Sequence, residues 1–204
     1  MDIDKFRAAR NPDAETIAQL ANSAYRPESG VTGRTNESDL VMKEETLNLE
    51  QEAVWVRNRL EQSDKKNIPL ITEDFPIMNC KLSSMLVAYH LIFKYPNLII
   101  HGVSGRAKNW KGLDEISHYW LEVGEILIDI TSDQYNKIDI DELNGQFASY
   151  IPFKSVYVGP KYRQPQYYLF KKIDRDVFTD GFPDIGEDFI EKLEISHRYL
   201  NGRK

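Results

Sequence analysis

Residues 80–93 are apolar on nearly every side: Leu82, Met85, Leu86, Ala88, Tyr89, Leu91 and Ile92 leave no continuous polar stripe. A helix of that kind has no face to give to water, so it must run through the middle of a domain and be covered by other elements. The downstream sequence supplies the cover. Residues 116–123 and 125–131 read as two strands meeting at Gly124-Glu125, a hairpin signal,. Further strands are expected at residues 97–103, 155–158 and 167–170, with residues 104–114 as a loop.

Upstream the pattern is helical. Ile17, Leu20, Ala21 and Ala24 recur at helical spacing within residues 13–25, and Asn11-Pro12 is a good helix start,. Residues 26–33 read as a loop and 38–43 as a short helical turn. An amphipathic helix is expected at 47–60, with Leu49, Val54, Val56 and Leu60 on its apolar side. Residues 63–67 form a polar linker and 69–76 an extended approach to Cys80. A last helix is expected at 186–200. Helices first and then a mostly antiparallel sheet make an α+β chain. Its expected organisation is a helical arm over residues 1–46 and a main domain over 47–204.

With 204 residues, 41% of them hydrophobic, the chain can build a real core,. Its formal charge of −6 comes with basic residues scattered among acids, which argues against nucleic acid as a partner,. No apolar run approaches the roughly 18 residues of a membrane span. The opening Met1-Asp2-Ile3-Asp4-Lys5-Phe6 has no apolar signal region,. A single cysteine excludes an internal disulfide and suits a reducing compartment, so the expected location is cytoplasmic,. No metal-ligand spacing stands out, and no cofactor is expected.

The chemistry concentrates on that cysteine. Cys80 opens the buried helix, where the N-terminal dipole favours a thiolate. His118 sits on the first strand of the hairpin, sharing a face with Trp120 and Glu122, while Tyr119, Leu121 and Val123 share the other,. A turn at Gly124-Glu125 sets residue 118 opposite about 131, so Asp129 is the diagonal neighbour of His118. An acid inside the run Ile126-Leu127-Ile128-Asp129-Ile130 needs a partner to be buried there,. A lone cysteine in an apolar helix is most often a small hydrophobe, and a strand histidine is often structural. The joint placement of Cys80, His118 and Asp129 favours a nucleophile, a base and its orienting carboxylate. Lys81 is expected to assist the thiolate. Asp133, Gln134 and Glu122 are the alternatives to Asp129, though Asp133 and Gln134 are expected to cap or turn the strand end, and Glu122 to be an exposed hairpin acid. His90 and His101 are read as structural, and His197 as a surface residue near a helix C-terminus.

The blocks Phe75-Pro76…Cys80, Ser117-His118-Tyr119-Trp120-Leu121-Glu122 and Ile128-Asp129-Ile130-Thr131-Ser132-Asp133-Gln134-Tyr135 resemble those of transglutaminase-like and papain-like cysteine hydrolases, a bacterial group in particular. The resemblance covers about residues 75–170. It implies a Cys-bearing central helix on a mostly antiparallel sheet, with Cys80 as nucleophile, His118 as base and Asp129 as orienter. It departs from the group at Met78-Asn79-Cys80-Lys81, where small residues are usual. The implied activity is a cysteine peptidase or amidase type hydrolase. It would cleave an amide or isopeptide bond in a peptide or protein substrate, or in a small amide, through an acyl-enzyme. The alternatives are an acyltransferase of transglutaminase or arylamine-acetyltransferase type, or an inactive binding module.

The first residues, Phe6-Arg7-Ala8-Ala9 and then 13–27 and 30–41, resemble the start of GNAT acetyltransferases. No Gly-rich phosphate loop follows a suitable strand. Calorimetry with acetyl-CoA should therefore register no binding; a saturable heat would refute this.

Overall fold

The computed structural model describes residues 37–113 and 115–202. From Leu40 onward they belong to one compact unit. The expected helix over 13–25, the loop after it and the GNAT-like stretch up to residue 36 lie outside the described residues.

Helix α1 runs Glu37–Gln62, so the expected turn at 38–43 and helix at 47–60 are one element, which also crosses the expected boundary at 46/47. Leu49, Ala53, Val56 and Leu60 form its buried face. Ala53 takes the inward position that Val54 was expected to share; Val54 is exposed. Residues 69–76, expected to be extended, instead form a series of turns closed by bonds such as Phe75 N–H to the Thr72 carbonyl. Helix α2, Cys80–Lys94, buries Met85, Leu86, Val87, Ala88, Leu91 and Ile92, as its all-round apolarity requires.

Five strands follow: β1 Ile100–Ala107, β2 Ile116–Val123, β3 Ile126–Asp129, β4 Tyr157–Pro160 and β5 Lys171–Phe178. They form one sheet in the order β4-β3-β2-β1-β5, with every neighbouring pair antiparallel. Between β3 and β5 lie short helices, among them α3 Gly145–Ala148 and α4 Pro165–Leu169. Residues 167–170 were expected as a strand; 165–169 are α4 instead, with Pro165 at its first turn, where a missing N–H costs nothing,. Helix α5, Glu187–Leu200, closes the chain.

The alternation of β2 separates two cores. Tyr119 and Leu121 pack with Ile126 and Ile128 toward α1, α2 and α5. Trp120 and Leu127 pack on the other side with Val103, Tyr135, Phe147, Phe153, Leu169 and Phe170. Full burial of each such side chain contributes roughly 1.5–3 kcal/mol. On the α2 side, Gly102 leaves room for the Tyr119 hydroxyl, which crosses β1 to donate to Asp176 on β5; a Cβ there would collide with it.

His197 is not a surface residue. It is buried, with its Nε2 3.0 Å from His90 Nδ1, and His90 Nε2 lies 2.7 Å from Glu52. Helices α1, α2 and α5 meet through this row because the C-terminal half of α5 faces inward at Leu193, Ser196, His197 and Leu200.

One buried cation reaches across the domain. Arg57 of α1 grips Asp133 with both ends of its fork, at 2.8 and 2.6 Å, and donates to the Ile130 carbonyl. Its Nε donates to Glu61 at 2.7 Å, and its Cζ lies 4.9 Å from the centroid of the Phe75 ring. Replacing Arg57 with Ala strands these acceptors and should cost about 3 kcal/mol in urea unfolding. Arg57→Lys should recover less than half of that, because an ammonium cannot form the planar two-pronged contact.

Candidate active site

Cys80 is the first residue of α2, and Asn79 precedes it as the cap residue. The Asn79 side chain does not cap the helix. Its amide donates to Thr72 Oγ1 at 2.8 Å and to the Ile77 carbonyl at 2.6 Å, and its oxygen accepts from the Thr72 N–H at 3.0 Å. Asn79 therefore folds the 72–79 turn back on itself, and the first-turn N–H groups of α2 are left without this side chain,. Cys80 as a residue is partly exposed. Met78 beside it has left-handed backbone (φ 58°) and is 85% exposed, so its side chain points away from the core.

His118 and Asp129 lie where the hairpin geometry puts them. The pairs Leu121↔Ile128, Glu122↔Leu127 and Val123↔Ile126 continue to 118 opposite 131, which makes 129 diagonal to 118. His118 Nε2 is 2.7 Å from Asp129 Oδ2, and both side chains are 0% exposed. An ionised carboxylate only accepts, so Nε2 carries a hydrogen and Nδ1 is the nitrogen turned away from Asp129,. Gln134 Nε2 stands 3.1 Å from Nδ1. Phe170 stacks on the imidazole and Tyr135 meets it edge-on.

Burial alone would drive the imidazole toward its neutral form. The charge and hydrogen bond of Asp129 override that and raise its pKa, with a smaller contribution from nearby Cys80,. Burial would likewise raise Asp129; the His118 charge and hydrogen bond, the Ser132 hydroxyl and the Thr131 N–H hold it below the usual range,. Tyr135 stays a phenol, because burial and the negative charges of Cys80 and Asp129 push its pKa well up. The structure thus joins His118 to Asp129 directly, and Cys80 is near enough to act on the imidazole.

Other expected residues fall elsewhere. Asp133 belongs to Arg57, while Gln134 turns into the site. Glu122 is not an exposed hairpin acid: it is buried and accepts from Trp120 Nε1 at 3.2 Å and from Lys172. Lys81, expected to serve the thiolate, has its ammonium 3.2 Å from Asp176 and 5.1 Å from the Tyr119 ring centroid.

Three supporting residues were missed. Thr131 donates to Asp129 Oδ1 from its N–H (2.8 Å) and hydroxyl (3.2 Å), and Ser132 donates to Oδ2. An Asp followed at two and three residues by Thr and Ser is a local side-chain-to-backbone turn pattern that could have disclosed them. Gln166, 37 residues away on α4, gave no such signal; its Nε2 donates to Asp129 Oδ2 at 2.7 Å. Among the described residues no group of three or more His, Cys, Asp or Glu is arranged to hold a metal. Compared with protein-family models, curated proteins and solved structures, the chain matches none.

The ion pair carries a pH signature. The folded imidazole lies above its ordinary 6.5, so its stabilisation is full below that and is lost as pH rises through the raised value,. The folded carboxylate lies below 3.8, so its share is present above that and is lost as pH falls through the lowered value,. Between about pH 4 and 6.5 both contribute. In a Cys80→Ala background, unfolding stability should fall above pH 6.5 by up to about 1.4 kcal/mol per pH unit from this one proton. Asp129→Asn should abolish that slope; urea melts at four pH values would show it, and an unchanged slope would contradict the ion pair.

Proposed function

We propose that this protein is a cysteine-dependent acyl-enzyme hydrolase acting on an amide or isopeptide bond, with the papain-like or transglutaminase-like arrangement of a Cys-bearing helix against an antiparallel sheet. The observation that carries the reading is the fully buried His118–Asp129 pair beside a thiol at a helix start. A structural histidine needs no carboxylate clamped by five donor contacts, and a structural cysteine needs no imidazolium.

In this reading Cys80 gives its proton to His118 Nδ1 and attacks the substrate carbonyl carbon as thiolate. The new C–S bond makes a tetrahedral oxyanion, which the backbone N–H of Cys80 helps to hold,. The C–N bond then breaks and His118 delivers its proton to the departing amine. Water enters, loses a proton to Nδ1 and attacks the thioester; the acid leaves and the thiolate returns. Asp129 stays ionised throughout, fixing the ring through Nε2 and stabilising the imidazolium. Gln134, at Nδ1, must yield that nitrogen each time it carries the proton to or from sulfur.

The second reading is transfer of the acyl group to an amine. It is favoured by the complete burial of His118 beneath Phe170 and Tyr135, which keeps bulk water from the base. The chemistry up to the thioester is the same.

Cys80 should react with iodoacetamide at pH 6, where an ordinary thiol is almost wholly protonated, and His118→Gln should slow it at least about tenfold. Incubation with an activated ester should add one acyl group at Cys80 by mass spectrometry. Loss of that adduct in buffer marks hydrolysis; loss only on adding an amine marks transfer. No adduct, with a His118→Gln rate equal to wild type, would leave a binding module as the surviving reading.

A further inference from the structure

Asp129 is held by more donors than one imidazole requires. Its Oδ1 takes the two contacts from Thr131, and its Oδ2 takes His118, Ser132 and Gln166. Gln166 comes from α4, an element that meets the hairpin only through tertiary packing. It is 1% exposed. Its Nε2 divides between Asp129 Oδ2 at 2.7 Å and Ser132 Oγ at 2.8 Å. Its Oε1 is buried without a hydrogen-bond partner among the described residues.

That amide cannot turn over. Rotated by half a turn, it would set a carbonyl oxygen against a carboxylate and remove both donor contacts. The orientation that strands Oε1 is therefore the one the carboxylate demands. An apolar residue of similar size would bury no unpaired oxygen there, so packing alone does not account for a glutamine,. Ser132 makes the link a relay: its hydroxyl donates to Asp129 while it accepts from Gln166.

We propose, resting on the acyl-enzyme reading above, that Gln166 is a positioning residue of the same site, which keeps Asp129 ionised and aimed at His118 Nε2 through a direct contact and a second one through Ser132. It touches neither the thiol nor the substrate and acts only through the carboxylate. The other titratable groups around Asp129 are His118 from β2, Tyr135 from the turn after β3, Tyr157 from β4 and Cys80 from α2. Of these, His118 brings a positive charge to the carboxylate; the Arg57 guanidinium nearby is matched to Asp133, Glu61 and the Ile130 carbonyl. Removing the amide donors should therefore make Asp129 easier to protonate and narrow the pH range over which the thiolate–imidazolium pair exists.

The test follows the iodoacetamide rate at Cys80 against pH in the full chain, each variant scaled to its own maximum. Gln166→Met removes the donors at similar volume. Gln166→Glu replaces them with a second carboxylate. The acid limb should move to higher pH in Met, giving about a threefold loss of relative rate on the limb, and further in Glu, where like charges oppose each other. Ser132→Ala should move it in the same direction and serves if a Gln166 variant fails to fold. A purely structural glutamine would lower the melting temperature and leave the scaled limb in place, and that result overturns the proposal. If the Gln166 and Ser132 limbs stay fixed while His118→Gln still reshapes the profile, only the positioning role falls. If His118→Gln also leaves the profile unchanged, the acyl-enzyme reading falls and this inference with it.

Discussion

The fork of Arg57 is the constraint on which the rest hangs. It ties α1 to the segment just after β3, through Asp133 and the Ile130 carbonyl, and lies against Phe75 in the turns that lead to Cys80. Those two stretches deliver the carboxylate and the thiol. A guanidinium taken out of water must be matched by fixed acceptors, or its desolvation would undo the contact. Here the bidentate carboxylate, a carbonyl and Glu61 supply them, and the matched cation in turn fixes where residues 130–133 run. Asp129, Thr131 and Ser132 inherit their positions from that segment.

The candidate site is polar but sits inside aromatic packing. Tyr135 and Phe170 lie against the imidazole, and Phe147 and Phe153 pack behind them. Low polarity around an ion pair strengthens the attraction and raises the penalty for any unpaired group. The site meets this with a carboxylate saturated by donors, leaving only Gln166 Oε1 unsatisfied within it. The opposing pKa shifts, up for His118 and down for Asp129, share a cause in the charge and hydrogen bond each gives the other.

Much of this was legible in the chain. The all-round apolarity of residues 80–93 required a buried helix, and α2 is that helix. Period-two alternation and the Gly124 turn gave the hairpin register, and with it the diagonal from His118 to Asp129. The misreadings share a cause. Tyr167 to Phe170 is an aromatic and apolar run with strand propensity, but the segment bears on the hairpin rather than on a neighbouring strand and curls into α4,. His197 and Glu122 carry polar side chains at positions where local pattern favours exposure, and both are buried because distant partners, His90 and Lys172, satisfy them. Arg57, a cation of an amphipathic helix, is buried for the same reason, its partner Asp133 lying far along the chain.

The sequence by itself determined the elements whose signal is periodic: a helix with no polar side, two strands with opposite faces, and the diagonal of a tight hairpin. These depend on backbone geometry over a few residues, which side-chain order records directly. Only the tertiary structure decided which polar groups are buried and with whom. Arg57 meets Asp133 across 76 residues, Gln166 meets Asp129 across 37, and His90 meets His197 across 107. A buried polar side chain is tolerated only when its partner arrives from elsewhere in the fold, and nothing in its own neighbourhood names that partner.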